Sequence, residues 1–576
     1  MMSVAAKKPW SRVVPRSFML QATIVALLLT APALVLGAIF GDDFFYHFLY
    51  NKFFSEQLRA GDIYPRWLFN GNAGLGGPVF FFYGSVPSFI TSVFSVFGLS
   101  VPRQMGAAAF VATLASGGAA YFWARMIVSK PSAVAAALLY MAHPYHLNFD
   151  LYLRFAFAEF WSFVWMPLVL GSMVAIARGR AYFWLLGAVS YALLIATHPP
   201  SVLIFTCLLI PYATGLLLEA PGKDRLLIAV CMAGTLALGV ALAGVYLVPA
   251  LTTQQFASYA EVLKRWDINS FANHLSLWRQ GLFLSHAWRY GADPALMVYA
   301  NVAAFSLLMA MVSTGAACMR ADSSRQRLWP LFWGVVVAVT MFAMSGYSLP
   351  FWEFASYLQR IQLPTRLNMV MVIALVPLIG YALDRWPTRG LVGALLWGVI
   401  AAYAATFWIP SAKSIYWGWA RYANVQLGGA ILPPETRPVG VPRALASLES
   451  ISKLSEATPR AAFRSGGGYA LATQWQPDEI VIEANNNSPD ELVVHQFNYP
   501  GWSINTTPFA NVSVAATPEG LLSIRLPAGA YRLSIKRGTL TAERIGLSIT
   551  ATAIVVALGL ILVTRRRRLQ LSPHVA

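Results

Sequence analysis

Apolar runs of roughly 20 residues, the length a helix needs to cross the hydrocarbon core of a bilayer, recur along most of this chain. Twelve are recognisable, over about 18–40, 104–127, 131–148, 160–177, 182–198, 201–218, 226–249, 296–317, 329–345, 368–384, 390–409 and 545–564. Before the last of them the pattern changes period. Ile480/Ile482, Leu492/Val494, Leu522/Ile524/Leu526 and Tyr531/Leu533/Ile535 alternate with their neighbours, and Pro518-Glu519-Gly520 and Pro527-Ala528-Gly529 supply turns. That alternation predicts a small β-sandwich over about 470–537. The stretch 410–469, with Pro433-Pro434, Pro438, Pro442 and Gly466–Gly468, reads as linker and irregular loops. The expected fold is mainly α: a polytopic membrane protein of about 12 transmembrane helices with a small C-terminal periplasmic β-sandwich before the last helix. Its expected divisions are a transmembrane domain over 1–409 with an outer loop at 41–103, a linker at 410–469, the β domain at 470–543, and a last helix with a basic tail at 544–576.

Composition agrees with the pattern. Of 576 residues 57% are hydrophobic and 11% charged, with a mean hydropathy of +0.57; a soluble globular domain carries roughly 25% charged residues, so an ordinary soluble enzyme is excluded. The net charge of +18 does not indicate nucleic acid, because the basic residues form no single patch or stripe. They are parcelled out between apolar runs. Nineteen of the 42 lie at Lys7, Lys8, Arg12, Arg16, Arg125, Lys130, Arg178, Arg180, Lys223, Arg225, Arg320, Arg325, Arg327, Arg385, Arg389 and Arg565–Arg568, all on one side of a twelve-span topology.

The positive-inside rule makes that side cytoplasmic, with both termini on it. Set against Glu219, Asp224, Asp322 and Asp384, it carries +15 and leaves +3 for the outer face. The first apolar run follows four basic residues but exceeds the roughly 7–15 residues of a cleaved signal, so it reads as an uncleaved anchor. A thirteenth run, Val79–Leu99, would turn every later basic cluster outward if it crossed. It is therefore expected to be a re-entrant or interfacial hairpin, helped by Pro87. Cys207, Cys231 and Cys318 all sit in apolar segments and are expected to be small core residues, not a disulfide framework.

Function is then expected in the outer segments, 41–103, 149–159, 250–295, 346–367 and 410–544, because the cytoplasmic loops are too short to build a site. Asp42 and Asp43 lie where the first span ends, in Gly41-Asp42-Asp43-Phe44-Phe45-Tyr46-His47. Two carboxylates at a bilayer boundary call for a cation, a hydrogen-bonding substrate or simply water. On a continuing helix Asp43 and His47 share a face, a spacing that suits a general base oriented by a neighbour. The glycines of Gly71-Asn72-Ala73-Gly74-Leu75-Gly76-Gly77 lack a preceding strand and make no dinucleotide fingerprint. His143 and His146 lack a third metal ligand. Arg154 is shaped to hold a lipid phosphate bidentately, or to pair with Asp150 or Glu159. Arg366, at the start of a span, is a phosphate contact or an anchor; His198, Lys264, Arg265 and Arg360 are further outer-facing candidates.

In order, Asp42-Asp43…Tyr46-His47, Gly61-Asp62-Ile63-Tyr64-Pro65-Arg66-Trp67 and Gly74-Leu75-Gly76-Gly77-Pro78-Val79-Phe80-Phe81-Phe82-Tyr83 resemble the first outer loop of bacterial GT-C-type membrane proteins. The chain is similar, more narrowly, to the family labelled 6-pyruvoyl-tetrahydropterin-synthase-related membrane proteins. Tyr152-Leu153-Arg154-Phe155-Ala156-Phe157-Ala158-Glu159, Pro364-Thr365-Arg366 and Phe497-Asn498-Tyr499-Pro500-Gly501-Trp502 extend the resemblance over most of the chain.

It implies a bacterial inner-membrane glycosyltransferase, working at the periplasmic face, that takes a hexose or pentose from a polyprenyl-phosphate donor. Asp42 and Asp43 are then the catalytic candidates, and His47, Arg66, Arg154, Glu159 and Arg366 the donor-phosphate or substrate-binding ones. A divalent cation, Mg or Mn, is an allowed cofactor, although the acidic pair is Asp-Asp where the best-defined GT-C enzymes have Asp-Glu. Expected partners are the lipid-linked donor and membrane lipids, with no nucleic acid. The competing reading is a non-catalytic transporter or scaffold for cell-surface saccharide assembly. A transporter is expected to carry ionisable residues near mid-bilayer, whereas these spans are nearly free of charge.

Overall fold

The computed structural model describes residues 15–39, 41–258, 275, 294–386, 395–400, 408–409, 412–413, 415–416, 431–433, 436–441, 451, 454 and 459–570, with backbone alone at 294–301 and 564–570. Among the described residues nine helices are long and apolar enough to cross a membrane: Arg16–Leu36, Val101–Ile127, Phe157–Ala177, Pro199–Glu219, Gly222–Leu242, Val302–Met319, Ser324–Ala343, Pro364–Arg385 and Thr541–Val563. The three other expected spans part from this set for separate reasons. The run 131–148 is cut by Pro144, which forces His143 into an extended conformation. It becomes a 13-residue helix, Lys130–Ala142, followed by a π-helix, Tyr145–Leu153. The run 182–198 makes a helix of only 12 residues, Trp184–Ile195. Most of 390–409 lies outside the described residues.

A break at Ala243 divides the run 226–249 into Arg225–Leu242 and Gly244–Thr252. Backbone groups freed by a break at membrane depth need partners from within the protein, and Thr550 of the last helix supplies them. Its Oγ1 accepts from the Val245 N–H at 2.8 Å and lies 3.2 Å from the Leu242 carbonyl, to which it donates. Gly244 permits this approach, since a Cβ there would stand 2.9 Å from the Ile549 side chain and 3.1 Å from the Gly546 carbonyl. The Val79–Leu99 run forms no single crossing helix. It breaks into Val79–Phe82, Val86–Val93 and a 3₁₀ turn, Phe94–Phe97.

Several basic loops are tied together at one end of the bundle. Arg178 donates to the Met126 carbonyl, and Arg385 to the carbonyls of Ala317 and Gln326. Asp384 accepts from the Ser129 N–H and the Ser132 hydroxyl, while Arg320 stacks over Trp386 at 4.2 Å. The cysteines depart from the core expectation: Cys207 is exposed and Cys231 and Cys318 are half-buried. The outward face of a spanning helix meets lipid, so an apolar setting in the sequence does not mark the interior there.

The β-sandwich before the last helix has two antiparallel sheets, ordered β1-β4-β7-β6 and β2-β3-β8-β5. Its strands are β1 (Ala461–Phe463), β2 (Gly468–Trp475), β3 (Ile480–Asn486), β4 (Asp490–Phe497), β5 (Trp502–Thr507), β6 (Val514–Ala516), β7 (Leu521–Leu526) and β8 (Gly529–Arg537). Both β1 and the start of β2 fall in the stretch that reads as linker in the sequence. Ile480, Ile482, Leu492, Val494, Leu522, Ile524, Leu526, Leu533 and Ile535 fill the core between the sheets.

The loop that follows the first span completes that core. Trp67, Phe69, Leu75 and Phe81 join it, and Trp67 packs on Tyr499 and Trp502 of the Phe497–Trp502 segment at ring separations of 5.6 and 6.0 Å. Gln496 stitches the two together: its Oε1 accepts from Trp67 Nε1 at 3.3 Å and its Nε2 donates to the Gly74 carbonyl at 2.6 Å. The Phe497 N–H adds a 2.7 Å bond to the Leu75 carbonyl.

Arg66 anchors the same loop to the last helix. Its side chain is only 4% exposed; Nε pairs with Glu543 at 3.0 Å, Nη2 donates to the Val245 carbonyl at 2.7 Å, and the guanidinium lies 3.8 Å above the Tyr64 ring. Arg537, at the end of β8, reaches the second Glu543 oxygen at 3.7 Å. Removing one partner of a buried ion pair strands the other charge, at a cost of about 3–5 kcal/mol, whereas replacing both by apolar groups is often close to neutral. Glu543→Gln is therefore expected to lower the thermal midpoint of the purified protein by several degrees, and Arg66→Met/Glu543→Met to recover part of the loss, the remainder reflecting Arg537, which still lacks its carboxylate. A single variant that melts with the wild type would refute the anchor.

Candidate active site

Three segments far apart in sequence meet beside the end of the first span. The loop that follows the first span is clasped to the 153–154 connection by two backbone bonds, from the Asp42 N–H to the Leu153 carbonyl at 3.3 Å and from the Asp43 N–H to the Arg154 carbonyl at 2.8 Å. Gly41, at φ +86°, makes the clasp possible. A Cβ there would sit 2.8 Å from the backbone of Arg154 and Phe155. Phe155 itself adopts φ +54° without being glycine, a strain that persists only where the surroundings over-determine it.

The clasp sets Arg154 Nη2 3.1 Å from Asp43 Oδ2, with Nη1 3.8 Å from Glu159 Oε2. The third segment brings Arg366, whose Nε lies 3.1 Å from the same Glu159 oxygen. Its Nη1 donates to the Ile361 carbonyl at 2.8 Å and to Gln362 Oε1 at 3.3 Å. Gln362 is another non-glycine residue at positive φ, +64°. Tyr145 donates to the other Glu159 oxygen at 2.7 Å. Glu159 also stands in the first turn of the helix Phe157–Ala177, where the helix dipole favours a negative group.

Asp43, Arg154, Glu159 and Arg366 thus form an unbroken chain of alternating charge. Side-chain exposure runs along it from 37% at Asp43 through 12% at Arg154 to 1% at Glu159, with Arg366 at 10%. Of the two paired carboxylates, Asp43 is the one an incoming molecule can reach.

His47 lies one turn beyond Asp43 but turns to an aromatic cage. Tyr50, Tyr83, Phe155 and Phe157 surround its ring, and Nε2 is 3.4 Å from the Tyr83 hydroxyl. Burial, with a smaller push from Arg154 and against the pull of Asp43, lowers its pKa to about 4; the ring is neutral at neutral pH. His198 is buried with Nδ1 2.6 Å from the Ser201 hydroxyl. Burial first, then the fields of Arg366 and Arg154, hold it well below the ordinary histidine value, which places it in the electrostatic reach of the charged chain.

The other residues singled out in the sequence lie elsewhere. Asp42 is exposed, tied to the site by its backbone. Arg66 belongs to the Glu543 anchor, and Arg360 is exposed and stacked on Tyr357 at 4.7 Å. Lys264 and Arg265 lie outside the described residues. His143 and His146 do not act as a pair: His143 binds the Tyr145 N–H and the Ser306 hydroxyl, and His146 the Tyr140 carbonyl. Among the described residues no three His, Cys, Asp or Glu side chains converge, and both paired carboxylates face guanidiniums; a Mg or Mn ion, which one or two carboxylates and a substrate phosphate can hold, would have to displace Arg154 to use Asp43.

Asp150, considered in the sequence only as an ion-pair partner for Arg154, is wholly buried on the π-helix, and among the described residues neither carboxyl oxygen has a hydrogen-bond partner. Burial, then Glu159, raises its pKa well above the usual carboxylate range against the pull of Arg154 and Arg366. Its distance of four residues from Arg154 was the available signal, and it pointed to a pairing the fold does not make.

No protein-family model and no curated protein sequence matches the chain. In fold it is similar to the apo oligosaccharyltransferase of Archaeoglobus fulgidus, at 12% identity and a TM-score of 0.41, covering 77% of this chain and 59% of that one. It is similar to the arabinofuranosyltransferase AftD from Mycobacteria, at 15% identity and a TM-score of 0.45, covering 92% and 40%. It is similar also to ArnT from Cupriavidus metallidurans bound to undecaprenyl phosphate, at 14% identity and a TM-score of 0.31, covering 89% and 98%. The chain spans 59% of the length of the first and 40% of the second. Likenesses this distant assign no residue role here.

Proposed function

We propose that the protein is a GT-C-type membrane glycosyltransferase that moves a sugar from a polyprenyl-phosphate donor to a hydroxyl acceptor at the outer face of a bacterial inner membrane. One observation carries the reading: an exposed carboxylate, Asp43, shares a guanidinium with a buried one, Glu159, and a second guanidinium, Arg366, stands behind. A site facing away from nucleotide sugars needs a donor activated by a lipid phosphate, and guanidiniums are suited to that group. The polyprenyl phosphate is the class of lipid that ArnT carries in its complex.

In the resting arrangement Arg154 is occupied by Asp43. A phosphate drawn to Arg154 and Arg366 competes with Asp43 for the first of them. Glu159, buried and bonded to Tyr145, keeps both guanidiniums in place during the exchange. Asp43, released, is a free base at the exposed edge of the site.

The reaction is a single displacement. The acceptor oxygen forms a bond to the anomeric carbon as the bond from that carbon to the phosphate oxygen breaks; the hydroxyl proton passes to Asp43, and the leaving electron pair stays on the phosphate, stabilised by Arg154 and Arg366. Asp42 presents a second exposed carboxylate beside the acceptor. His47, neutral and caged, orients Tyr83 and takes no proton in this scheme.

Two variants test the assignment with radiolabelled polyprenyl-phosphate sugars. Asp43→Asn is expected to lower transfer by about 100-fold or more, the scale of a lost general base, while donor binding holds or tightens because Arg154 loses its internal competitor. Unchanged transfer in both Asp43→Asn and Asp42→Asn would sink the catalytic carboxylate. Arg154→Gln is expected to weaken donor binding about tenfold or more, as for the loss of a charge-assisted hydrogen bond. Binding of equal strength in that variant would remove Arg154 from the phosphate site.

A further inference from the structure

Asp150 takes no part in the scheme above, yet it is the most unusual group in the site. It is wholly buried, and among the described residues neither of its carboxyl oxygens has a hydrogen-bond partner. Buried polar atoms without partners are rare in native proteins, and an isolated carboxylate in that position costs far more than a neutral acid. Charged groups act on it from several elements: Glu159 from the helix Phe157–Ala177, Arg154 beyond the π-helix, Arg366 from the start of the span Pro364–Arg385 and Asp43 from the loop after the first span. Two guanidiniums are already matched by Asp43 and Glu159. A third negative charge would make the cluster net negative and repel a phosphate.

We infer that Asp150 is a positioning residue of the phosphate site, which as a neutral carboxylic acid leaves Arg154 and Arg366 their attraction for an incoming lipid phosphate. The inference rests on the donor reading given above. Burial and the Glu159 charge, which both oppose ionisation of Asp150, act in the same direction. Asp150 also lies on the π-helix, a form frequent at functional sites. Its carbonyl accepts from the Ala156 N–H at 2.7 Å, so the acid is fixed to the same backbone turn that carries Arg154. The outcome is a charge setting: two positive groups, two negative ones, and a third acid kept silent.

Infrared difference spectroscopy on the purified, lipid-embedded protein tests this directly. Wild type at neutral pH is expected to show the carbonyl stretch of a protonated carboxyl group, and Asp150→Asn to lack it. Binding of a short-chain polyprenyl phosphodiester, whose own charge is constant from neutral to alkaline pH, is then measured over the range in which that band disappears. Wild-type binding is expected to weaken about tenfold or more in step with the band, the effect of one added like charge at close range, while Asp150→Asn stays flat. Tyr83 and Tyr145 are retained in the variant, so their titration does not mimic the result.

No protonated band assignable to Asp150, binding indifferent to loss of the band, or the same decline in Asp150→Asn would each overturn the inference. Wild-type protein that binds no polyprenyl phosphate or phosphodiester at any pH would overturn the donor reading itself. That result is distinct from intact binding with an ionised Asp150.

Discussion

Glu159 is a carboxyl group taken almost wholly out of water, and the candidate site is arranged around satisfying it. A charge in that position is tolerated only when paired and hydrogen-bonded on all sides. The partners come from three places: Tyr145 from the π-helix, Arg154 from the turn after it, and Arg366 from the entry to the span Pro364–Arg385. Meeting that need fixes how the helix Phe157–Ala177 stands against the end of the first span. The backbone clasp at Asp42 and Asp43, with left-handed Gly41 and Phe155, follows from the same convergence. Strain at Phe155 and Gln362 lies one residue from Arg154 and four from Arg366, where the pairing holds the backbone in place.

The same loop that begins at Asp43 also enters the core of the β-sandwich. Between the two, His47 meets Tyr83, the Tyr246 hydroxyl donates to the Phe82 carbonyl at 2.7 Å, and Arg66 reaches Glu543. The sandwich and the last helix are therefore joined to the loop directly, through Gln496 and Glu543, and by way of the helix Gly244–Thr252, through Val245 and Tyr246. Trp502 and Tyr499 pack against Trp67 in this joint. Their contribution is to seat the loop, which is a core role in chemical terms and a positional one in consequence.

Much of this was legible in the sequence where the signal was local. Runs of apolar residues gave the spans, and alternation at Ile480, Ile482, Leu522, Ile524 and Leu526 gave the strands, because each pattern reports which side chains leave water. Hydropathy averages over a window, however, and does not see who will satisfy a broken backbone. The division at Ala243 depends on Thr550, some 300 residues away in sequence. The cut at His143 depends on a single proline. β1 and the start of β2 were hidden for a related reason: a three-residue edge strand and the glycine that opens the next are too short a pattern to show alternation until a partner strand is in place.

The site divides in the same way. Asp43, Arg154, Glu159 and Arg366 are conspicuous as ionisable groups beside apolar spans, and the fold brings those four together. Their pairing was legible in part: Glu159 was among the expected partners of Arg154 and is one, but Arg154 also takes Asp43, 111 residues away, and not Asp150, four residues away. Arg66 carries the same residue type and the same loop as its warrant, yet it meets Glu543, because a buried guanidinium takes whichever carboxylate the chain delivers to it.

That selectivity also explains why the large basic excess says little about the site. Basic residues at Arg178, Arg320 and Arg385 bind carbonyls and rings at one end of the bundle, whereas the Asp43–Arg366 cluster holds acids and guanidiniums in near balance. A balanced cluster responds to one added charge far more sharply than a strongly basic patch does. Its chemistry is governed by whether a single carboxyl group carries a proton or a partner, and the buried position of Asp150 bears directly on that.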